Sequence, residues 1–228
     1  MKKKTVFYSE VAYLVGIVIL ALGGALMEKS NFGLSMVIAP AYLIHLKVSE
    51  FLPFFSFGMS GYLFQGLLLI ALSVAMGKFK KHYLFSFVTA VLYGLVLDGF
   101  VALLALCPFA AIGWRLGYYI SGMLCCSFGV AMLFHTYLPP EAYEVVVKEV
   151  AQKFSWSIAK VKTAYDCCSC ALGVVLSFAF FGFGTFRGVA LGTVVCALLN
   201  GWIIGRFGRL QEHFFQFKDA LPWRKNFT

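Results

Sequence analysis

Charge is what this chain has least of. Only 13% of its 228 residues are Asp, Glu, Lys or Arg, while 61% are hydrophobic and the mean hydropathy is +0.85. An ordinary soluble domain is about 25% charged and about 45–50% apolar. Too little polar surface is available here to keep a folded chain in water. Acidic residues are the scarcer sign, 10 against 19 Lys and Arg. No glycine-rich phosphate loop or nucleotide-binding domain is present, so the chain alone is not expected to hydrolyse ATP. No His–Glu–His arrangement accompanies His45 or His135, and nothing calls for a cofactor. The basic residues form no single basic domain, so nucleic acid is not an expected partner.

What remains between the sparse charges is long apolar runs. A helix crossing the roughly 30 Å hydrocarbon core needs about 20 residues at about 1.5 Å each. The windows 11–27, 56–76, 83–106, 116–134 and 188–204 qualify, and 161–181 qualifies despite Asp166. Outer-membrane barrel strands are about ten residues long and alternate in polarity, which these runs do not. The expected fold class is therefore all-α: a polytopic membrane protein with six transmembrane helices. Met1-Lys2-Lys3-Lys4 ahead of the first run has the look of a secretory signal. No clean Ala-x-Ala site follows, so the segment is expected to stay as a helix. The seven cysteines lie almost wholly inside spans and are odd in number, which suits packing residues better than disulfides. A soft-metal site among Cys125, Cys126, Cys167, Cys168 and Cys170 is the weaker reading.

With six spans, the basic residues divide unevenly between the two faces. One face receives Lys2, Lys3, Lys4, Lys78, Lys80, Lys81, Lys148, Lys153, Lys160, Lys162, Arg206, Arg209, Lys218, Arg224 and Lys225; the other receives Lys29, Lys47, Arg115 and Arg187. If 33–46 also crossed, the bias would largely vanish. The positive-inside rule then puts both termini in the cytoplasm.

The halves resemble each other. Phe55-Ser56-Phe57-Gly58 precedes the second span and Phe154-Ser155-Trp156-Ser157 the fifth. Leu92 to Phe100 on the third span matches Leu199 to Phe207 on the sixth. Ala39-Pro40-Ala41-Tyr42 follows the first span, and Pro139-Pro140-Glu141-Ala142-Tyr143 the fourth. Three spans per copy is an odd number, so the copies should be inverted: repeat 1 over about 8–106, repeat 2 over about 113–207, and a cytoplasmic tail over 208–228. Each repeat has a proline-broken or amphipathic segment after its first helix. Inverted repeats with broken helices are characteristic of secondary transporters, whose sites sit near the midplane. The broken segment 33–46 is apolar and short enough to be re-entrant. Its counterpart, 138–153, has Glu141, Glu144, Lys148 and Gln152 on one helical face and Tyr143, Val146, Val147 and Val150 on another. That pattern fits a helix lying in the interface or one dipping into the protein.

The residues that could carry chemistry are few. Asp98 lies well inside the third span, where a carboxylate costs roughly 2.5–3.5 kcal/mol on insertion scales. It is either a proton or cation site or a structural hydrogen-bonding group. Gly94 and Gly99 beside it suggest a tight interface with the second repeat, where Asp98 and Asn200 would line one polar site and Asp166 or Glu144 would close it. Asp166 lies one helical turn after Lys162, the spacing of an ion pair. Glu28 and Lys29 fall at a span end, where solvated charges are ordinary. Arg115 and Arg187 sit beside aromatics on the sparse face, as interfacial anchors or attractors of an anion. Gly58-Met59-Ser60-Gly61 matches the Gly-x-Ser-Gly of intramembrane rhomboid proteases, and Trp114-Arg115 echoes their Trp-Arg loop. A serine nucleophile needs a base within reach, and the last two spans contain no histidine. No enzyme is expected.

Taken together, Ser30-Asn31-Phe32-Gly33 with Ala39-Pro40, Trp156 to Thr163 leading to Asp166, Gly94 to Asp98, and the glycine-rich Phe183 to Thr193 resemble the YczE/YyaS/YitT-like bacterial integral membrane proteins. The likeness runs from about 23 to 207 and is strongest to an uncharacterised branch. It implies a multi-pass membrane protein without a settled activity. Similar proteins carry an acidic residue after a proline in the broken segment; Glu144 matches it in the second half, whereas the first half has Tyr42. The expected function is a small secondary transporter or permease for an unknown small molecule or ion. The competing readings are a substrate-binding membrane subunit of a larger complex and a non-transporting regulatory protein. The lipid bilayer is the one certain partner, and a homo-oligomer is compatible with the sequence. The orientation is checked by cysteine labelling from outside cells: positions near Trp114 and Thr185 should react and positions near Lys80 should not. Reaction near Lys80 would reverse it.

Overall fold

The computed structural model describes residues 5–108 and 111–222. Eight helices follow a short strand and precede another. They are β1 (Thr5–Tyr8), α1 (Ser9–Ser30), α2 (Ala39–Val48), α3 (Phe57–Met76), α4 (Lys81–Ala105), α5 (Ile112–Phe134), α6 (Ala142–Phe154), α7 (Ile158–Phe181), α8 (Leu191–Phe214) and β2 (Phe215–Lys218). All but α2 and α6 are long and apolar enough to cross a membrane, which gives six spans. Local chemistry sets several of the ends. Ser56 caps α3 by accepting from the Met59 N–H, and Gly77 stops it in the left-handed region. Asn31 and Ser155 end α1 and α6 in the same conformation, at φ 54°. Outward-facing Leu67, Ile70, Val74 and Leu198 stand more than 60% exposed, as befits surfaces solvated by lipid.

α1 and α5 form the buried axis of the molecule. They run antiparallel: Gly16 lies against Gly129, and Gly23 against Gly122 and Cys126. A Cβ on Gly23 would stand 2.8 Å from the Gly122 carbonyl oxygen, and one on Gly122 would stand 2.8 Å from that of Gly23. The two backbones therefore touch, as small residues permit at helix interfaces in membranes. Around this axis α4 packs on α1 as α8 packs on α5. Likewise α3 packs on α4 as α7 does on α8, α2 on α3 as α6 on α7, and α2 on α7 as α6 on α3. These contacts pair off under exchange of the halves, whereas the packing of α4 on α6 has no equal between α8 and α2.

The described ends of the chain meet. β1 pairs in parallel with β2, Thr5 opposite Phe215 and Tyr8 opposite Lys218. A two-stranded sheet is marginal by itself, and this one is pinned. The Glu10 carboxylate accepts from the Ala220 and Leu221 N–H groups and the Tyr137 hydroxyl, and Ser9 donates to Asp219. Both ends thus lie on one face, which requires an even number of crossings. The last helix runs to Phe214, well past the start of the expected tail at 208. Lys2, Lys3, Lys4, Arg224 and Lys225 of the charge argument lie outside the described residues.

Because the Gly122 Cβ position meets backbone rather than a movable side chain, Gly122→Leu should destabilise the protein by at least about 1–3 kcal/mol. Gly201, whose Cβ would meet nothing within 4 Å, provides the control, and Gly201→Leu should be near neutral. Thermal unfolding in detergent micelles checks both; equal effects would mean that the α1–α5 crossing is not a tight constraint.

Candidate functional site

Neither α2 nor α6 is an interfacial helix. In each the N-terminal half is buried against the protein, Ala39, Pro40, Ala41 and Leu43 in α2 and Ala142 through Val145 in α6; α6 stays largely buried through Ala151, and only its end at 152–154 is exposed. Glu141 and Glu144, assigned by periodicity to the polar face of α6, are only 2% and 3% exposed. The interfacial reading of 138–153 therefore gives way to the inward-dipping one. Gln65 of α3 fixes the start of α6, accepting from the Ala142 N–H at 2.9 Å and donating to Glu141 Oε2 at 3.2 Å.

The two short helices aim their N-termini at the same place. A small cavity of about 20 Å³ lies between them. Ser35, Val37 and Ile38, just before α2, line one side; Glu141, Tyr143 and Glu144, at the start of α6, line the other. Tyr93, Cys126, Lys162 and Asn200, from α4, α5, α7 and α8, complete it. A space of roughly 10–15 Å³ is enough for one water. Lys162, 7% exposed, bridges two acids: its Nζ lies 3.0 Å from Asp166 Oδ1 and 3.6 Å from Glu144 Oε1. The ion pair expected from spacing is present, but Lys162 is buried here rather than marking a solvated face. Among the described residues, Glu141 Oε1 and the Tyr143 hydroxyl are buried without a hydrogen-bond partner. Two acids thus share the Lys162 ammonium, and Glu141 lies beside them without an ion pair. Burial, and after it the negative charge of Glu144, pushes the Glu141 carboxyl well above its usual range; burial likewise raises the Tyr143 phenol. The positive end of the α6 dipole falls at these acids and offsets part of the cost.

Of the residues singled out from sequence, Glu144, Asp166 and Asn200 belong to this neighbourhood. Asn200 accepts from Ser127 of α5 at 2.8 Å. Asp98 does not belong. Its carboxylate accepts from Ser56 Oγ at 2.5 Å and from the Gly58 N–H at 2.7 Å, so it sits on the N-terminus of α3. The tight glycine contact beside it is Gly94 against Gly58 within the same half, and Gly99 and Gly201 face open space. Glu141 was not singled out; the signal was its place directly after Pro139-Pro140 at the start of the broken helix. Arg115 donates to the Ser30 and Asn31 carbonyls at the end of α1, and Ser60 donates to the Ala41 carbonyl. Glu28, expected to be solvated, accepts from Tyr42 at 3.4 Å.

A second, larger pocket of about 450 Å³ opens on the face of the chain ends. Lys80, His82, Lys148 and Glu149 line it, and its floor is Pro139 and Pro140. Ser86 and Thr89 of α4 donate to the Pro140 and Pro139 carbonyls at 2.7 and 3.0 Å. This proline floor separates the vestibule from Glu141. Lys162→Met would strand Glu144 and Asp166 as unpaired buried acids and should cost about 3–5 kcal/mol. Adding Glu144→Gln and Asp166→Asn to the same chain should restore most of it. Thermal unfolding of the single and triple variants checks this, and an unaltered single variant would mean that the cluster is already neutral without Lys162.

No curated protein and no solved structure matches this chain. A model of a family of unknown function, DUF6198, matches residues 7–209. That match covers five spans whole and the sixth up to residue 209, both short helices and every residue of the cavity, and the chain belongs to this family.

Proposed function

We propose that the protein is a small secondary transporter or permease that works by alternating access around the cavity between α2 and α6. The observation that carries this reading is the convergence of two short helices, one from each half, with their buried N-termini on a small cavity that Glu141, Glu144, Lys162 and Asn200 help to line. Discontinuous helices that meet at a midplane site between repeats are the usual construction of such transporters. Irregular backbone is tolerated at membrane depth where it is buried in protein or lines a cavity. The antiparallel α1–α5 axis and the paired contacts around it support two inverted repeats. The likeness to YczE/YyaS/YitT-like proteins and the basic bias of one face support a bacterial plasma membrane with cytoplasmic ends. The vestibule then faces the cytoplasm, and the proline floor is the closed inner gate. The substrate is a small molecule or ion, no cofactor takes part, and the chain has no enzymatic role.

Alternating access is tested at Ser35, which lines the cavity and is close to isosteric with cysteine. Ser35→Cys is prepared in a monodisperse background with its native cysteines replaced, and oriented vesicles receive a membrane-impermeant maleimide from one side at a time. A transporter should be labelled from both sides. Labelling from one face alone, or from neither, would point to a non-transporting membrane protein.

A further inference from the structure

We propose that Glu141 is a proton-binding residue of the cavity, holding an exchangeable proton that makes H⁺ the ion this site takes up and releases. The inference rests on the cavity being the transport site, and it supplies the coupling ion. It begins with charge. Glu141, Glu144 and Asp166 are each no more than 3% exposed, and Lys162 is the one ammonium in ion-pairing distance of any of them among the described residues. Buried charges persist only when paired. Lys162 bridges Glu144 and Asp166, so Glu141 is the acid left without a cation.

Its hydrogen bonding says the same. Oε2 accepts from the neutral Gln65 amide, whereas Oε1 has no partner and belongs to a side chain that lines the cavity. A carboxylate in that position would leave a buried negative oxygen bare. A carboxylic acid places its O–H there and can donate to a single water, for which the cavity has room. Burial, and after it the negative charge of Glu144, favours the acid against the opposing pull of the Gln65 hydrogen bond and of Lys162. Glu144 and Tyr143 flank it on α6, and Lys162, Tyr165 and Asp166 stand on α7. Tyr13 of α1, Tyr93 of α4 and Cys126 of α5 also face it, and α3 and α8 contribute the amides of Gln65 and Asn200. A metal cation fits poorly beside them, because the Lys162 ammonium already occupies the cationic position next to Glu144. The proton comes from water in the vestibule when the proline floor, one residue away, opens. On release it returns to water and leaves the Glu141 carboxylate.

The test is infrared spectroscopy of the purified full-length protein in lipid. At pH 7 the wild type should show the carbonyl stretch of a protonated carboxylic acid, shifted on exchange into D₂O. Glu141→Gln should abolish it and Asp166→Asn should retain it. Glu144→Gln, which removes the neighbouring negative charge, should keep the band but move its disappearance to lower pH. Thermal unfolding gives the second readout. A carboxyl raised above its unfolded value stabilises the fold at low pH, and that stability is lost as pH rises from the unfolded value through the folded one. Glu141→Gln should therefore have a flatter dependence of Tm on pH above about pH 4.5. No band in the wild type, or one that survives Glu141→Gln or vanishes in Glu144→Gln, would overturn the assignment. Two-sided labelling at Ser35 without the band leaves transport standing and removes the proton; the band with one-sided labelling does the reverse.

Discussion

The crossing of α1 and α5 is the constraint on which the other contacts depend. Gly23 and Gly122 bring two helix backbones into contact at the centre of the molecule, with Gly16 and Gly129 repeating the contact further along. Helices in lipid gain little from burying apolar side chains against each other, so close backbone packing has to supply much of the association. With the axis this narrow, α4 and α8 can each lean on one member of it. The space between them and the outer helices admits a short helix from each side. α2 and α6 leave irregular backbone at membrane depth, which is tolerable only inside protein.

That geometry explains why charge is affordable at the centre. An isolated carboxylate in the spans would cost several kcal/mol. Here Glu141 and Glu144 lie at the positive end of α6, Lys162 approaches from α7, and Gln65 reaches across from α3. The cluster is tied to α3, α6 and α7 and closed off from the vestibule by two prolyl residues whose carbonyls are held by Ser86 and Thr89. An arrangement whose pieces come from both halves changes whenever the halves move relative to each other.

The sequence was most legible where a property is local. Span length, span number and the positions of the breaks follow from apolar run length and from proline and glycine. The Lys162–Asp166 pair follows from helical spacing. Asp98 shows the limit of such reasoning. Its insertion cost is real, but the compensating partner is the N-terminus of α3, forty residues away in the chain and contacted through Gly58 and Gly94. Nothing periodic links those positions. The amphipathic pattern of α6 misled in the opposite direction: a stripe of acids and a lysine looks like a solvated face, yet its first turn points into the protein, where Lys162 and Gln65 receive it.

The sequence by itself determined that this chain lives in a bilayer, crosses it six times and breaks twice, because hydrophobic length and backbone hydrogen bonding are settled within each segment. Only the tertiary structure decided which acids share a site. Burial and pairing of a charge depend on what other segments bring to it, and those partners lie 76 residues from Glu141 at Gln65 and on a different helix from Glu144 at Lys162.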